Sequence, residues 1–196
     1  RPHPPKLLPR HPPSPQPRKS PRGSPSVIRV ITLDSYEEKP MAKFRQMLYA
    51  AFAVGCEHSG SVKLPAGFSE PLEAVKLLEA IDGVRAYADD KLLYLTSRKL
   101  KDRTLPSGNC PTHGVARYAK DRAMISTAGI KNFEESLKTV GRHALHQLGH
   151  LWELHHCLDP RCAMYPPWTP SFPTGDAIFC TFCREKSEQK IRLAKS

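Results

Sequence analysis

His146 and His150 stand four residues apart in the run Leu145-His146-Gln147-Leu148-Gly149-His150-Leu151. If this run is helical, both imidazoles lie one turn apart on one face and can point at a single metal ion. Histidine pairs with this spacing also occur on helices without any ligand role, so the neighbouring residues decide. Downstream stand His155, His156 and Cys157, then Cys162, Ala163 and Met164, then Cys180 and Cys183. The spacings C-x4-C and C-x2-C match the two halves of a four-thiolate structural zinc site. Two disulfides are the competing reading, and four cysteines allow three pairings. Zinc is preferred because paired close cysteines suit tetrahedral ligation and the start of the chain lacks the apolar stretch of a secretory signal.

Several elements must position these side chains. A helix is expected from Asn132 to Cys157, opened by a capping-box-like pair, Asn132 and Glu135. On that helix His143, His146 and His150 share one face, whereas Phe133, Leu137, Ala144, Leu148 and Leu151 fall on the opposite one. One side should therefore pack on a sheet while the other faces a cleft. Upstream, the β-branched run Val27 to Ile31 reads as a buried strand, Tyr36 to Phe52 as a helix, and Pro71 to Ile81 as a second helix stopped by Asp82-Gly83. Leu92 to Thr96 reads as a strand, and Val115 to Tyr118 with Ala123 to Thr127 as a hairpin. Strands alternating with helices point to an α/β class with a mixed sheet packed on helices.

The chain has 196 residues, 39% of them hydrophobic, and a formal net charge of +11. Residues 1–25 hold ten of its 20 prolines and six Lys or Arg with no acid, the composition of a disordered basic leader. Residues 26–196 keep 24 basic and 19 acidic residues, a net of +5, so bulk charge does not make this domain a nucleic-acid binder. No run of 18 apolar residues is present, which excludes a membrane-spanning helix. The six cysteines are too few for a disulfide-dense secreted scaffold, and four of them lie between residues 157 and 183. A chain starting at Arg1 is expected to be a fragment or a processed product, in the cytoplasm or the nucleus, and monomeric by default.

The segment from His146 to Cys183 resembles the archaemetzincins, a family of zinc metallopeptidases. Their signature is H-E-x-x-H-x-x-G-x-x-H-C, four residues, C-x-M, a spacer of about seventeen, then C-x-x-C. Here His146, His150, His156, Cys157, Cys162, Met164, Cys180 and Cys183 keep its register, with fifteen residues between Met164 and Cys180. The resemblance implies a compact metzincin-like domain over residues 26–196, with an active-site helix and a C-terminal zinc-knuckle region. It implies two zinc ions: a catalytic one held by His146, His150 and His156, and a structural one held by Cys157, Cys162, Cys180 and Cys183. Met164 would form a methionine turn beneath the first; a plain core methionine is the alternative. The substrate would be a peptide or protein, added in extended form to an edge strand at Arg122 to Thr127. His143 and His155 are expected beside the site or exposed, and Cys56 and Cys110 as free buried thiols.

Two positions depart from the signature. Gln147 occupies the place of the glutamate that takes a proton from the attacking water. An amide can hold that water but has no lone pair basic enough to accept its proton, and a lost general base costs about 10² to 10⁴ in rate. Glu153 replaces the glycine at which the chain bends so that His156 can reach the metal. A residue with a Cβ spends about 1 to 2 kcal/mol in the left-handed conformation such a bend uses. The Glu153 carboxylate also falls on the histidine face, where it could act as a ligand or as a substitute base. Three functions follow: a metallopeptidase impaired by Gln147, an inactive pseudopeptidase that binds peptides or proteins, and a zinc-stabilised nucleic-acid binder. The last is disfavoured, because residues 157–183 carry few basic or aromatic side chains in a readable pattern.

Overall fold

A computed structural model describes residues 26–81, 87, 89–104, 110–166 and 178–193, with backbone alone at 110 and 111. The leader 1–25, the Asp82-Gly83 stop and the Cys110 side chain lie outside the described residues.

The β-branched run forms β1 (Val27–Thr32), followed by α1 (Glu38–Phe52) and β2 (Gly55–Ser61). Next come β3 (Leu72–Glu73), α2 (Ala74–Ala80), β4 (Lys91–Thr96), β5 (Leu100–Asp102) and β6 (Cys110–Thr112). The chain then forms β7 (Gly114–Ala116), β8 (Arg122–Ser126), α3 (Leu137–Leu151) and α4 (Thr181–Leu193). The main sheet has the order β2-β1-β4-β8-β7, parallel except for β7, which runs antiparallel to β8. Alternate residues of its inner strands face opposite layers. Ile28, Val30, Leu93, Leu95, Ala123 and Ile125 meet α1 and α3, while Ile31, Leu92, Tyr94 and Met124 meet α2. Burial on both faces explains why β1 and β4 read as near-continuous apolar runs. The expected mixed α/β architecture is what the chain adopts.

Four boundaries differ from expectation. The edge strand is β7; β8 lies inside the sheet between β4 and β7, so residues 122–126 have no free edge to offer a peptide. The second helix starts at Ala74 rather than Pro71, because the Leu72 N–H donates to the Lys99 carbonyl (2.8 Å) and the segment pairs with β5 instead. The first helix starts at Glu38, two residues after Tyr36. The long helix spans Leu137–Leu151, not Asn132 to Cys157. Asn132 Oδ1 does accept from the Glu135 N–H (3.2 Å), but it closes a turn ahead of the helix.

At its far end α3 is stopped by a Schellman arrangement: the Leu154 N–H donates to Gly149 O (2.9 Å) and the Glu153 N–H to His150 O (3.1 Å). Glu153 takes the left-handed conformation usually given to glycine, with φ of 60°. The chain therefore bends where the spacing requires it, between His150 and His156.

Candidate metal centres

α3 is almost wholly enclosed. Every residue from Val140 to Gly149 is buried, including His143, His146 and Gln147. The expected division into an apolar face and a cleft face is thus too simple. Loops from beyond the helix cover its polar side.

His146 and His150 lie with their Nε2 atoms 3.1 Å apart. Their Nδ1 atoms are 2.9 Å from Ala163 O and 2.8 Å from Leu154 O respectively. A carbonyl oxygen only accepts, so each Nδ1 carries the proton and each Nε2 presents a lone pair. His156, delivered by the Glu153 bend, brings a third ring nitrogen, and the three ligand atoms lie within 4.8 Å of one another. Burial and the neighbouring histidines hold His146 at about 3; burial holds His150 at about 4, and it lowers His156 too. Neutral imidazoles whose lone pairs converge suit a cation between them. A tetrahedral zinc with bonds of ~2.0 Å separates its nitrogens by ~3.3 Å, close to the spacing seen here.

Four sulfurs form a second group on the other side of residues 162–164. Cys157, Cys162, Cys180 and Cys183 bring their Sγ atoms within 4.8 Å of one another. All four are free thiols, which excludes the disulfide alternative for this conformation. Cys157 and Cys180 Sγ are 3.8 Å apart, matching the ~3.8 Å edge of a tetrahedron with ~2.3 Å zinc–sulfur bonds. The N–H groups of Met164 and Cys180 point at Cys162 Sγ (3.5 and 3.4 Å) and that of Asp159 at Cys157 Sγ (3.4 Å), the polarity a thiolate wants. Burial pushes the Cys162 thiol up to about 11. A divalent cation is the usual means of keeping so buried a sulfur ionised.

The segment between the groups supports both. Met164 is fully buried, and a Cβ placed on Gly149 would stand 2.4 Å from its sulfur. The methionine therefore lies directly under the helix turn joining His146 to His150. Gly114 of β7 also approaches α3, its virtual Cβ 3.0 Å from Gln147 Cγ. Gln147, next in sequence to His146, thus lies against the edge strand β7.

The other expected residues are placed as follows. The Glu153 carboxylate pairs with Lys190 of α4 and is not among the converging ligand atoms. Neither ligand nor substitute base is supported for it, because the bend that delivers His156 turns its side chain toward α4. His143 is buried and stacks on His113 (ring centroids 4.8 Å apart), and burial lowers it to about 4. His155 is exposed and lies 2.9 Å from the Tyr118 hydroxyl, which donates to Glu153 O (3.0 Å) and so fastens the β7–β8 turn to the bend. Cys56 is a half-buried free thiol. Sequence reasoning did not find Tyr118, Arg142 or the Ala163 carbonyl. Of the three, Arg142 left a trace, standing one helical turn before His146.

A mixed sheet with an antiparallel edge strand, a helix carrying two histidines and ending in a bend, and a buried methionine beneath it make up an α/β fold that solved structures share. Comparison with solved structures specifies it further, as the archaemetzincin fold. The chain is similar to archaemetzincin from Methanopyrus kandleri at 24% identity and TM-score 0.71, over 88% of this chain and 98% of that one. It is similar to a zinc-dependent peptidase from Methanocorpusculum labreanum at 18% identity and TM-score 0.66, over 82% and 99% of the two chains. Archaemetzincin from Archaeoglobus fulgidus, complexed with malonate, gives 16% identity and TM-score 0.63, over 82% and 99%. No protein-family model matches the chain, and no curated protein sequence matches it. At these identities the likeness establishes the fold.

Proposed function

We propose that this chain is an archaemetzincin-like zinc protein that takes peptides along β7 and hydrolyses them weakly, because Gln147 replaces the general base. The observation that carries the reading is the convergence of His146, His150 and His156, brought together by two local devices. The helix supplies the first two, the Ala163 and Leu154 carbonyls fix their tautomers, and the Glu153 bend supplies the third. Cys157, Cys162, Cys180 and Cys183 would hold a second, structural zinc.

A zinc ion held by His146, His150 and His156 would supply Lewis acidity toward a peptide carbonyl and a water. The chain's own residues do the rest. An extended peptide would lie along β7, the outer strand of the main sheet, beside Gln147, and would have to displace the Thr112 hydroxyl that now bonds the Gly114 N–H and carbonyl. The Gln147 amide can orient a water by hydrogen bonding, but it cannot carry that water's proton to the leaving amine.

The same glutamine supports a second reading, a pseudopeptidase that binds peptides or protein partners without cutting them. Gln147→Glu separates the two. It should raise the rate of peptide cleavage by at least about tenfold, a floor below the ~10² to 10⁴ that a general base contributes. No gain, with zinc still bound and peptide still binding, favours the pseudopeptidase.

A further inference from the structure

Arg142 is 2% exposed, and its guanidinium points at the loop that separates the two ligand groups. Its Nη2 donates to Arg161 O (3.0 Å) and its Nη1 to Cys162 O (3.2 Å). The next carbonyl, that of Ala163, takes the His146 Nδ1–H (2.9 Å), and the one after it, that of Met164, takes the Cys157 N–H (2.9 Å). Four consecutive carbonyls are thus held, two of them by one arginine. Arg142 and His146 are four residues apart on α3 and so lie on one face of it. The same short segment carries Cys162, a member of the sulfur group, and Met164, the floor under Gly149.

We propose that Arg142 is a positioning residue that clamps residues 161–164 between the two groups, so that filling the cysteine group tightens metal binding at the histidine group, and the reverse. The proposal rests on the reading of both groups as zinc sites. Its physical basis is the shared strut: Cys162 cannot shift toward or away from a metal without moving the Ala163 carbonyl that aims His146. Arg142 transmits the movement, because it ties the strut to the helix bearing the histidines. It also sets a buried positive charge near Cys162, where four thiolates around one dication would leave a net negative charge. Thermodynamic linkage requires the coupling factor to be the same in both directions.

The test uses the full chain, with zinc affinity at each group measured by chelator competition and the sulfur group followed by cobalt–thiolate absorption. Two ions should bind to the wild type. Cys180→Ser should weaken zinc at the histidine group at least about tenfold, and His150→Ala should weaken it at the cysteine group by the same factor. Arg142→Met should weaken the histidine group with its three ligands intact, and Arg142→Lys, which keeps the charge, should fall between. A purely structural arginine would lower thermal stability without this order in metal affinity.

Two bound ions whose affinities stay within twofold when the other group is disabled would overturn the coupling and leave the functional reading standing. One ion or none in the wild type contradicts the functional reading itself. If Arg142→Met fails to fold, the paired Cys180→Ser and His150→Ala measurements still decide.

Discussion

Gly149→Ala places a methyl group where the helix turn between His146 and His150 rests on Met164. The new Cβ would stand 2.4 Å from the Met164 sulfur and 3.3 Å from Leu154 Cδ1. Unstrained contacts need about 3.5 to 4.0 Å, so the methionine end must move by more than about 1 Å in a fully buried place. Overpacking of this kind costs about 1 to 3 kcal/mol. Alanine, however, favours a helix interior over glycine by about 1 kcal/mol. The net effect is a loss of about 1 kcal/mol, or about 2 to 4 °C in Tm for a chain of this size. The sharper quantity comes from repeating the substitution in a Met164→Ala background, where the sulfur clash is gone and only the approach to Leu154 Cδ1 (3.3 Å) opposes the helix preference. There Gly149→Ala should stabilise, and the propensity term cancels from the double-mutant cycle, leaving a coupling of about 1 to 3 kcal/mol. Urea unfolding of the four proteins with zinc present measures it. An identical effect of Gly149→Ala in both backgrounds would refute the placement of Met164 under the histidine turn.

Two further outcomes follow from the site. Because His143, His146 and His150 are held far below the usual histidine value, at about 4, 3 and 4, the unfolded chain binds more protons than the folded one below pH 6.5. Stability of the metal-free protein should be level between pH 6.5 and about 8, below the range where unfolded thiols ionise, and fall as pH drops from 6.5 toward 4, measured by chemical denaturation; no fall on the acid side would contradict the burial of these rings. At the bend, Glu153→Gly should be more stable than Glu153→Ala by about 1 kcal/mol, since both lose the Lys190 pair but alanine alone keeps the left-handed strain. Equal midpoints would mean that φ at this position is not positive.

The metal groups were legible because metal ligation leaves a spacing in the chain that packing does not disturb. The i, i+4 histidines and the two cysteine pairs follow from helix geometry and ligand reach, whereas His156 as a third ligand and the bend at Glu153 came from the resemblance to the archaemetzincin signature. The polar strands left much less of a trace. β2, with the sequence Gly55-Cys56-Glu57-His58-Ser59-Gly60-Ser61, is held to β1 by backbone pairing while nearly all its side chains face solvent, so it shows no alternation. β7 is three residues long, too short for a period, and the longer, apolar β8 therefore drew the edge assignment that belongs to its neighbour. Arg142 was hidden for a different reason. A lone arginine on a helix reads as a solvated side chain, and only the return of residues 161–164 over α3 makes it a buried clamp.

Zinc content by elemental analysis, on the wild type and on His150→Ala and Cys180→Ser, tests the central claim most directly. Two structured ligand groups predict about two zinc ions per wild-type chain, falling to about one in His150→Ala. A single ion that is lost in Cys180→Ser and untouched in His150→Ala would contradict a metal centre at His146, His150 and His156.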